Sequence, residues 1–153
     1  MGNKKIRIMD LFCGSGGFAQ GFLKSDDQYE LIYSNDNKKW AIETVKANHP
    51  NTLVDDRDIR EVDIDGLKKN SILKDVDLII GGPPCQGFSS LRPNRSKNIE
   101  DDRNDLYLYF SKFVDTLRPK YFVMENVVGL ITHNKGKTLK LLVLLRSQGC
   151  FIE

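Results

Sequence analysis

Short apolar runs alternate with amphipathic stretches along the whole chain. Ile6–Asp10, Glu30–Ser34, Asn51–Val54, Val76–Ile80 and Tyr121–Met124 read as strands, and Cys150-Phe151-Ile152 as the start of a sixth. Val76–Ile80 is nearly continuous in apolar residues, the pattern of a buried parallel strand, and Tyr121–Met124 is again all apolar. Helical spacing runs over Phe18–Lys24, Lys38–Asn48, weakly over Leu67–Leu73, then over Asp105–Leu117 and Lys137–Gln148. In Asp105–Leu117, the residues Leu106, Leu108, Tyr109, Phe110, Phe113, Val114 and Leu117 make a wide apolar face. In Lys38–Asn48, Trp40, Ala41, Val45 and Ala47 are the expected packing positions, and His49, before Pro50, is expected at the surface. Strand and helix alternate without repeats or a linker, which predicts one α/β unit over 1–153 with a doubly wound, mostly parallel sheet.

Composition narrows this picture a little. The 153 residues are 40% hydrophobic and 29% charged, as in globular domains, and no apolar run approaches a membrane span. The first residues lack the apolar core of a signal peptide, and three cysteines without metal-ligand spacing predict a reduced, cytosolic setting and no metal site. A net charge of +2 neither demands nor excludes a nucleic-acid partner, so any such contact needs a local basic patch.

The candidate chemistry sits where strands end. Leu78-Ile79-Ile80-Gly81-Gly82-Pro83-Pro84-Cys85 closes an apolar strand with two glycines and two prolines, then delivers a cysteine on a stiff loop. Open α/β sheets place ligand chemistry at that edge. After the first strand, Gly14-Ser15-Gly16-Gly17 leads into a helix, the arrangement of a nucleotide or nucleoside cradle. The spacing departs from G-x-G-x-x-G. Asp10, just before the loop, would repel a pyrophosphate and suit the ammonium group of an amino-acid-bearing ligand. Asp36 follows the second strand, placed either to accept from ribose hydroxyls or to cap the next helix. Asp58 and Ile59 offer an acceptor and an apolar surface to an adenine, or belong to a solvated loop. Gln86–Asp105 is long, polar and carries Arg92, Arg95 and Lys97, which suits a flap contacting phosphates. Glu125 ends the fifth strand, where it would face the same crevice as Cys85, or serve as an N-cap or in a salt bridge.

Asp10-Leu11-Phe12-Cys13-Gly14-Ser15-Gly16-Gly17-Phe18, then Gly82-Pro83-Pro84-Cys85-Gln86-Gly87-Phe88-Ser89, then Glu125-Asn126-Val127, in this order and spacing, resemble the S-adenosylmethionine-dependent DNA cytosine-5 methyltransferases. The resemblance implies a Rossmann-like methyltransferase fold, incomplete at the C-terminus. It implies that Asp10, Leu11, Phe12, Gly14, Gly16 and Gly17 cradle the cofactor, with Phe12 against adenine. Asp36 would bind the ribose, Asp58 and Ile59 the adenine, and Pro83 and Leu106 would also line the cofactor site. Cys85 aligns with the nucleophile and Glu125 with the acid at cytosine N3. Gln86, Ser89, Arg92, Arg95 and Lys97 fall on the substrate loop, and Asn126 resembles the residue that holds it. Asn37 departs from the pattern, which often has an aromatic residue there, stacking on adenine.

The implied reaction is covalent. Thiolate addition at C6 makes C5 nucleophilic, and C5 then takes the sulfonium methyl. The target base must leave the duplex to reach Cys85. The implied partners are duplex DNA with a flipped cytosine, the C-terminal half of the enzyme, and a cognate restriction endonuclease. The family's Gln-x-Arg-x-Arg motif and target-reading region are not in this sequence, so the chain alone is expected to show no sequence-specific methylation. Three other readings stand: an RNA (tRNA) cytosine-5 methyltransferase, a non-catalytic S-adenosylmethionine-binding subunit, and a Rossmann oxidoreductase, the last suggested only by the glycine loop.

Overall fold

A computed structural model describes residues 4–71, 73, 75–84 and 105–125. Strands β1 (Ile6–Leu11), β2 (Tyr29–Asn35), β3 (Leu53–Asp55), β4 (Leu78–Gly81) and β5 (Tyr121–Met124) form one sheet in the order β3-β2-β1-β4-β5. All their pairings are parallel. Helices α1 (Gly17–Ser25), α2 (Lys39–Asn48), α3 (Ile64–Lys69) and α4 (Leu106–Leu117) lie in the connections, with a 3₁₀ turn at Ile59–Glu61. The order reverses between β1 and β4, so the loops after these two strands diverge and leave a crevice at the sheet's carboxyl edge.

Side-chain alternation explains the two covered faces. Met9, Leu11, Tyr33 and Ile79 point to one side, in a core with Phe110, Phe113 and Val114 of α4. Ile8, Leu31, Leu78 and Ile80 point to the other, against Ala19, Phe18 and Phe22 of α1. Each fully buried side chain of this size contributes about 1.5–3 kcal/mol. At Gly81 the strands come so close that an added Cβ would stand 2.5 Å from the Leu11 carbonyl oxygen. Only glycine fits there, directly below the Gly82-Pro83-Pro84 segment.

The sheet and helices follow the expected order, with local differences. β1 runs one residue beyond Asp10, because Leu11 pairs with both Asn35 and Gly81. The short third helix lies at Ile64–Lys69 rather than Leu67–Leu73. Asp63 caps it by accepting from the Gly66 N–H at 3.0 Å, Asn70 ends it, and Leu73 enters the core from the turn beyond. Trp40 does not pack: it is 62% exposed. The buried stripe of α2 is Ala41, Ile42 and Val45, so Trp40 and Ala47 face outward. His49 is half-buried rather than superficial, and its N–H closes α2 on the Val45 carbonyl at 2.8 Å. The helix at Lys137–Gln148 and the sixth strand lie outside the described residues. Among the described residues no helix is long and apolar enough to cross a membrane.

Asp77 joins three strands at the opposite edge. Its backbone donates to the Arg7 carbonyl and accepts from the Tyr121 N–H, each at 3.0 Å. Its buried carboxylate accepts from the Arg7 N–H at 3.1 Å and from the Lys120 ammonium at 2.8 Å. Burial opposes its ionisation, but Lys120 and the Arg7 amide outweigh that and hold its pKa below the ordinary value. Asp77→Ala leaves a strand N–H without its acceptor, and is expected to cost about 1–3 kcal/mol at neutral pH. Because the folded-state pKa is depressed, this contribution is present above the ordinary carboxylate pKa and is lost as pH falls through the folded value. Urea unfolding of both proteins at pH 7 and pH 4 measures the difference, which should shrink at the lower pH.

Candidate functional site

The loop after β1 is built on three left-handed residues. Phe12, Gly14 and Gly16 have φ of 57°, 52° and 86°. Glycine takes this conformation without strain, whereas Phe12 must be held in it. The loop is pinned by Asp36, whose Oδ2 accepts from the Gly14 N–H at 2.9 Å. The other oxygen, Oδ1, accepts from the Lys38 N–H, also at 2.9 Å. Asp36 therefore does not act as the N-cap of α2, which is Lys38. It ties the loops after β1 and β2 together, and each oxygen keeps a lone pair for a ligand.

A third loop is held from beneath. Asn35 is fully buried, and its amide donates to the carbonyls of Asp55 at 3.1 Å and Arg57 at 2.9 Å. The Asp55 carboxylate accepts from the Tyr33 hydroxyl at 3.0 Å and from two guanidinium nitrogens of Arg57 at 2.9 and 2.6 Å. Burial works against the Asp55 charge, but these donors keep its pKa below the ordinary value. Desolvation, and then the neighbouring Asp55, push the Tyr33 hydroxyl well above its usual range, so it remains a donor. This loop is thus not merely solvated. It presents Asp58, which caps the 3₁₀ turn and is gripped by Arg60 through Nε at 2.8 Å and Nη2 at 2.7 Å. That grip lowers the Asp58 pKa to about 2.

The three loops, the segment just after β4 and the first residue of α4 line a cavity of about 420 Å³. This lies within the ~300–1,000 Å³ typical of small-molecule sites. Phe12, Ile59 and Leu106 supply apolar wall, Asp36 and Asp58 carboxylates, Lys38 and Arg60 cations. Of the residues expected at a cofactor site, Phe12, Asp36, Asp58, Ile59 and Leu106 are brought together here. Gly14, Gly16 and Gly17 shape the loop without lining this cavity. Leu11 is buried in the core, and Pro83 is buried while its neighbours Gly82 and Pro84 line the wall. Asn35, Asn37, Lys38 and Arg60 also line it. Their sign in the sequence was only position: each lies within two residues of Asp36 or Asp58.

Asp10 lies elsewhere, buried on the α1 side of the sheet beside Ser34, its register partner on β2. Among the described residues neither of its carboxylate oxygens has a hydrogen-bond partner, nor does the Ser34 hydroxyl. The Ala19 amide attracts the Asp10 charge without reaching hydrogen-bond geometry. Burial dominates, the Asp36 charge adds to it, and the Asp10 pKa rises to about 7. Cys13 is buried in the same loop, and burial followed by the charges of Asp10 and Asp36 pushes its thiol up to about 12. It stays a neutral thiol at physiological pH and is no nucleophile.

Glu125 follows β5. Its N–H donates to the Gly81 carbonyl at 2.9 Å. A Cβ added at Gly82 would stand 3.1 Å from its Oε2, so the carboxylate lies against the segment leading to Cys85. Cys85, Gln86, Ser89, Arg92, Arg95, Lys97 and Asn126 lie outside the described residues. Among those described, no group of three or more His, Cys, Asp or Glu is arranged to hold a metal ion.

Comparison with known proteins matches the chain to one family. Residues 6–147 match the family description "C-5 cytosine-specific DNA methylase". The chain is 45% identical over 127 residues to the type II methyltransferase M.DdeI of Desulfomicrobium norvegicum, covering 83% of this chain and 29% of that protein. It is 38% identical over 136 residues to the type II methyltransferase M.AgeI of Thalassovita gelatinovora, covering 88% and 30%. The chain therefore spans less than a third of the length of these two relatives. Among solved structures, a DNMT2 variant of Spodoptera frugiperda superposes with a TM-score of 0.70 at 26% identity, covering 94% of this chain and 41% of that one.

The isolated charge at Asp10 gives a measurable signature. Its folded-state pKa of about 7 exceeds the ordinary 3.8, so the folded chain holds this proton more tightly than the unfolded chain. Its effect on stability is most favourable below 3.8 and declines as pH rises to about 7, then levels off. Asp10→Asn is expected to remove that decline. The difference between the two proteins in urea unfolding, followed from pH 4 to 8, isolates it from the carboxylates that titrate in the opposite sense.

Proposed function

This chain belongs to the C-5 cytosine-specific DNA methylases, and from that premise we propose that it forms the part of a DNA cytosine-5 methyltransferase that binds S-adenosylmethionine and carries the nucleophile. The observation that carries the reading is the meeting of Phe12, Asp36, Asp58, Ile59 and Leu106 around one cavity at the β1/β4 reversal. The residues suit a cationic nucleoside. Asp36 offers acceptors to ribose hydroxyls, and Phe12 and Ile59 offer apolar surface to a base. Asp10 and Ser34 are buried polar groups without partners beside the glycine loop, and an ammonium group would satisfy the carboxylate. Asp10 and Asp36 together make this end of the site negative. When bound, S-adenosylmethionine supplies an electrophilic methyl on a sulfonium.

The chain's own residues then divide the work on cytosine. The Cys85 thiolate forms a bond to C6, and the ring electrons displaced by that addition make C5 nucleophilic. Glu125 holds a proton at N3, where negative charge would otherwise accumulate. Its position against Gly82 fits this role, because Gly82 is three residues before Cys85. Once C5 is methylated, loss of its proton returns electrons to the ring and expels Cys85. Duplex DNA with one cytosine turned out of the stack is the substrate this chemistry requires. Lys38 and Arg60 on the cavity wall provide cations at that edge, and Arg92, Arg95 and Lys97 follow Cys85 in the sequence.

Two measurements test the reading. Calorimetric titration with S-adenosylhomocysteine should show saturable binding, weakened more than about tenfold in Asp36→Ala, since a charged acceptor is lost. No binding by the unaltered protein would remove the cofactor assignment. In the full-length protein, DNA containing 5-fluorocytosine should be trapped covalently in the presence of S-adenosylmethionine. Cys85→Ala should abolish trapping, while Glu125→Gln should slow it by about 10²-fold or more. Trapping that survives Cys85→Ala would refute the role given to this cysteine.

A further inference from the structure

Two adjacent glycines stand at the end of β4, and the sheet requires only the first. At Gly81 an added Cβ would meet the Leu11 carbonyl oxygen at 2.5 Å, a backbone atom that cannot retreat without parting β1 from β4. At Gly82 the nearest backbone atom among the described residues, the Glu125 carbonyl oxygen, would lie at 4.0 Å, an ordinary contact. The φ of Gly82 lies outside the left-handed region, and a residue before proline is held to extended conformations that alanine also adopts. Neither packing nor backbone conformation therefore demands glycine at 82. What an added methyl would meet is the Glu125 side chain, with Oε2 at 3.1 Å and Cβ at 3.9 Å. The carboxylate, being the free end of a side chain, would give way by a few tenths of an ångström.

Glu125 is thus fastened to the glycine pair twice. Its N–H donates to the Gly81 carbonyl at 2.9 Å, and its carboxylate rests against the bare Cα of Gly82. Gly82 leads to Cys85 through Pro83 and Pro84, each with a fixed φ. We propose that Gly82 is a positioning residue for the reaction on cytosine: its missing side chain lets the Glu125 carboxylate settle against the segment that carries Cys85, so that acid and nucleophile meet one ring at a set separation. The inference rests on the roles given to Glu125 and Cys85 above.

The test is a double-mutant cycle in the full-length protein, read as the rate of covalent trapping on 5-fluorocytosine DNA at saturating S-adenosylmethionine. Gly82→Ala should slow trapping by about tenfold, since misplacement by about 1 Å can cost about 10²-fold. Its melting temperature should be unchanged or slightly higher, because alanine restricts the unfolded chain. In Glu125→Gln, which cannot hold the acid's proton at N3, adding Gly82→Ala should slow trapping further by less than about twofold. Equal slowing in both backgrounds would show that residue 82 does not act through Glu125, and would overturn the proposal. A fall in melting temperature of about 5 °C or more would also overturn it, because the fold would then be what requires the glycine. Gly82 lines the cofactor cavity as well, so S-adenosylhomocysteine binding is measured alongside. Weakened binding with an undiminished trapping rate at saturation would assign the glycine to the cofactor instead, a third contrary result. Trapping by Glu125→Gln alone at the original rate would remove the acid role itself, and the proposal with it.

Discussion

Parallel strands cannot be joined by tight turns, so every connection must cross a face of the sheet and re-enter at the same edge. That constraint organises this chain. It places the glycine loop, Asp36, the Asp58 turn, the Pro-Pro segment and Glu125 along one carboxyl edge, although they span positions 12 to 125. The reversal between β1 and β4 then opens a crevice among them. The tightest point of the sheet lies just beneath. Leu11 and Gly81 are neighbours in register, and the absence of a side chain at 81 lets the two strand ends approach.

The acids of the site differ by their surroundings. Asp55 and Asp58 are each clasped by an arginine two residues on, and remain ionised to low pH. Asp36 spends its two oxygens on backbone amides of two different loops. Asp10 is buried with no partner, and its pKa rises toward neutrality. A buried, unpaired carboxylate is costly for a fold to keep. Its place beside a ligand loop makes a cationic group its natural counterpart. Burial first, and then the charges of Asp10 and Asp36, keep Cys13 protonated, which separates a packing cysteine from the one that follows Pro84.

Much of this was legible in the sequence because strand and helix periodicity are local properties. Apolar runs announced β4, buried on both faces, and β5, which exposes Tyr121 and Val123 on one face, and glycine and proline punctuation announced the loops at their ends. Local reading failed where neighbours distant in sequence decide. Trp40 has helical spacing suited to packing, yet the stripe that meets the sheet is Ala41, Ile42 and Val45. Asp63 rather than Leu67 marks the start of α3, since a capping carboxylate outweighs an apolar residue at a helix end.

What the sequence determined by itself was the fold class, the order of its elements, and the family, written in the segments around Asp10, Cys85 and Glu125. Those features depend on residue type and spacing alone. Only the tertiary structure decided which polar groups are satisfied and by whom. Asn35 holding two carbonyls of a loop twenty residues away, Asp36 tying Gly14 to Lys38, and Arg60 gripping Asp58 are hydrogen bonds across or within loops. A hydrogen bond needs its donor and acceptor within about 3 Å and correctly aimed. No one-dimensional pattern specifies that until the sheet has brought its loops together.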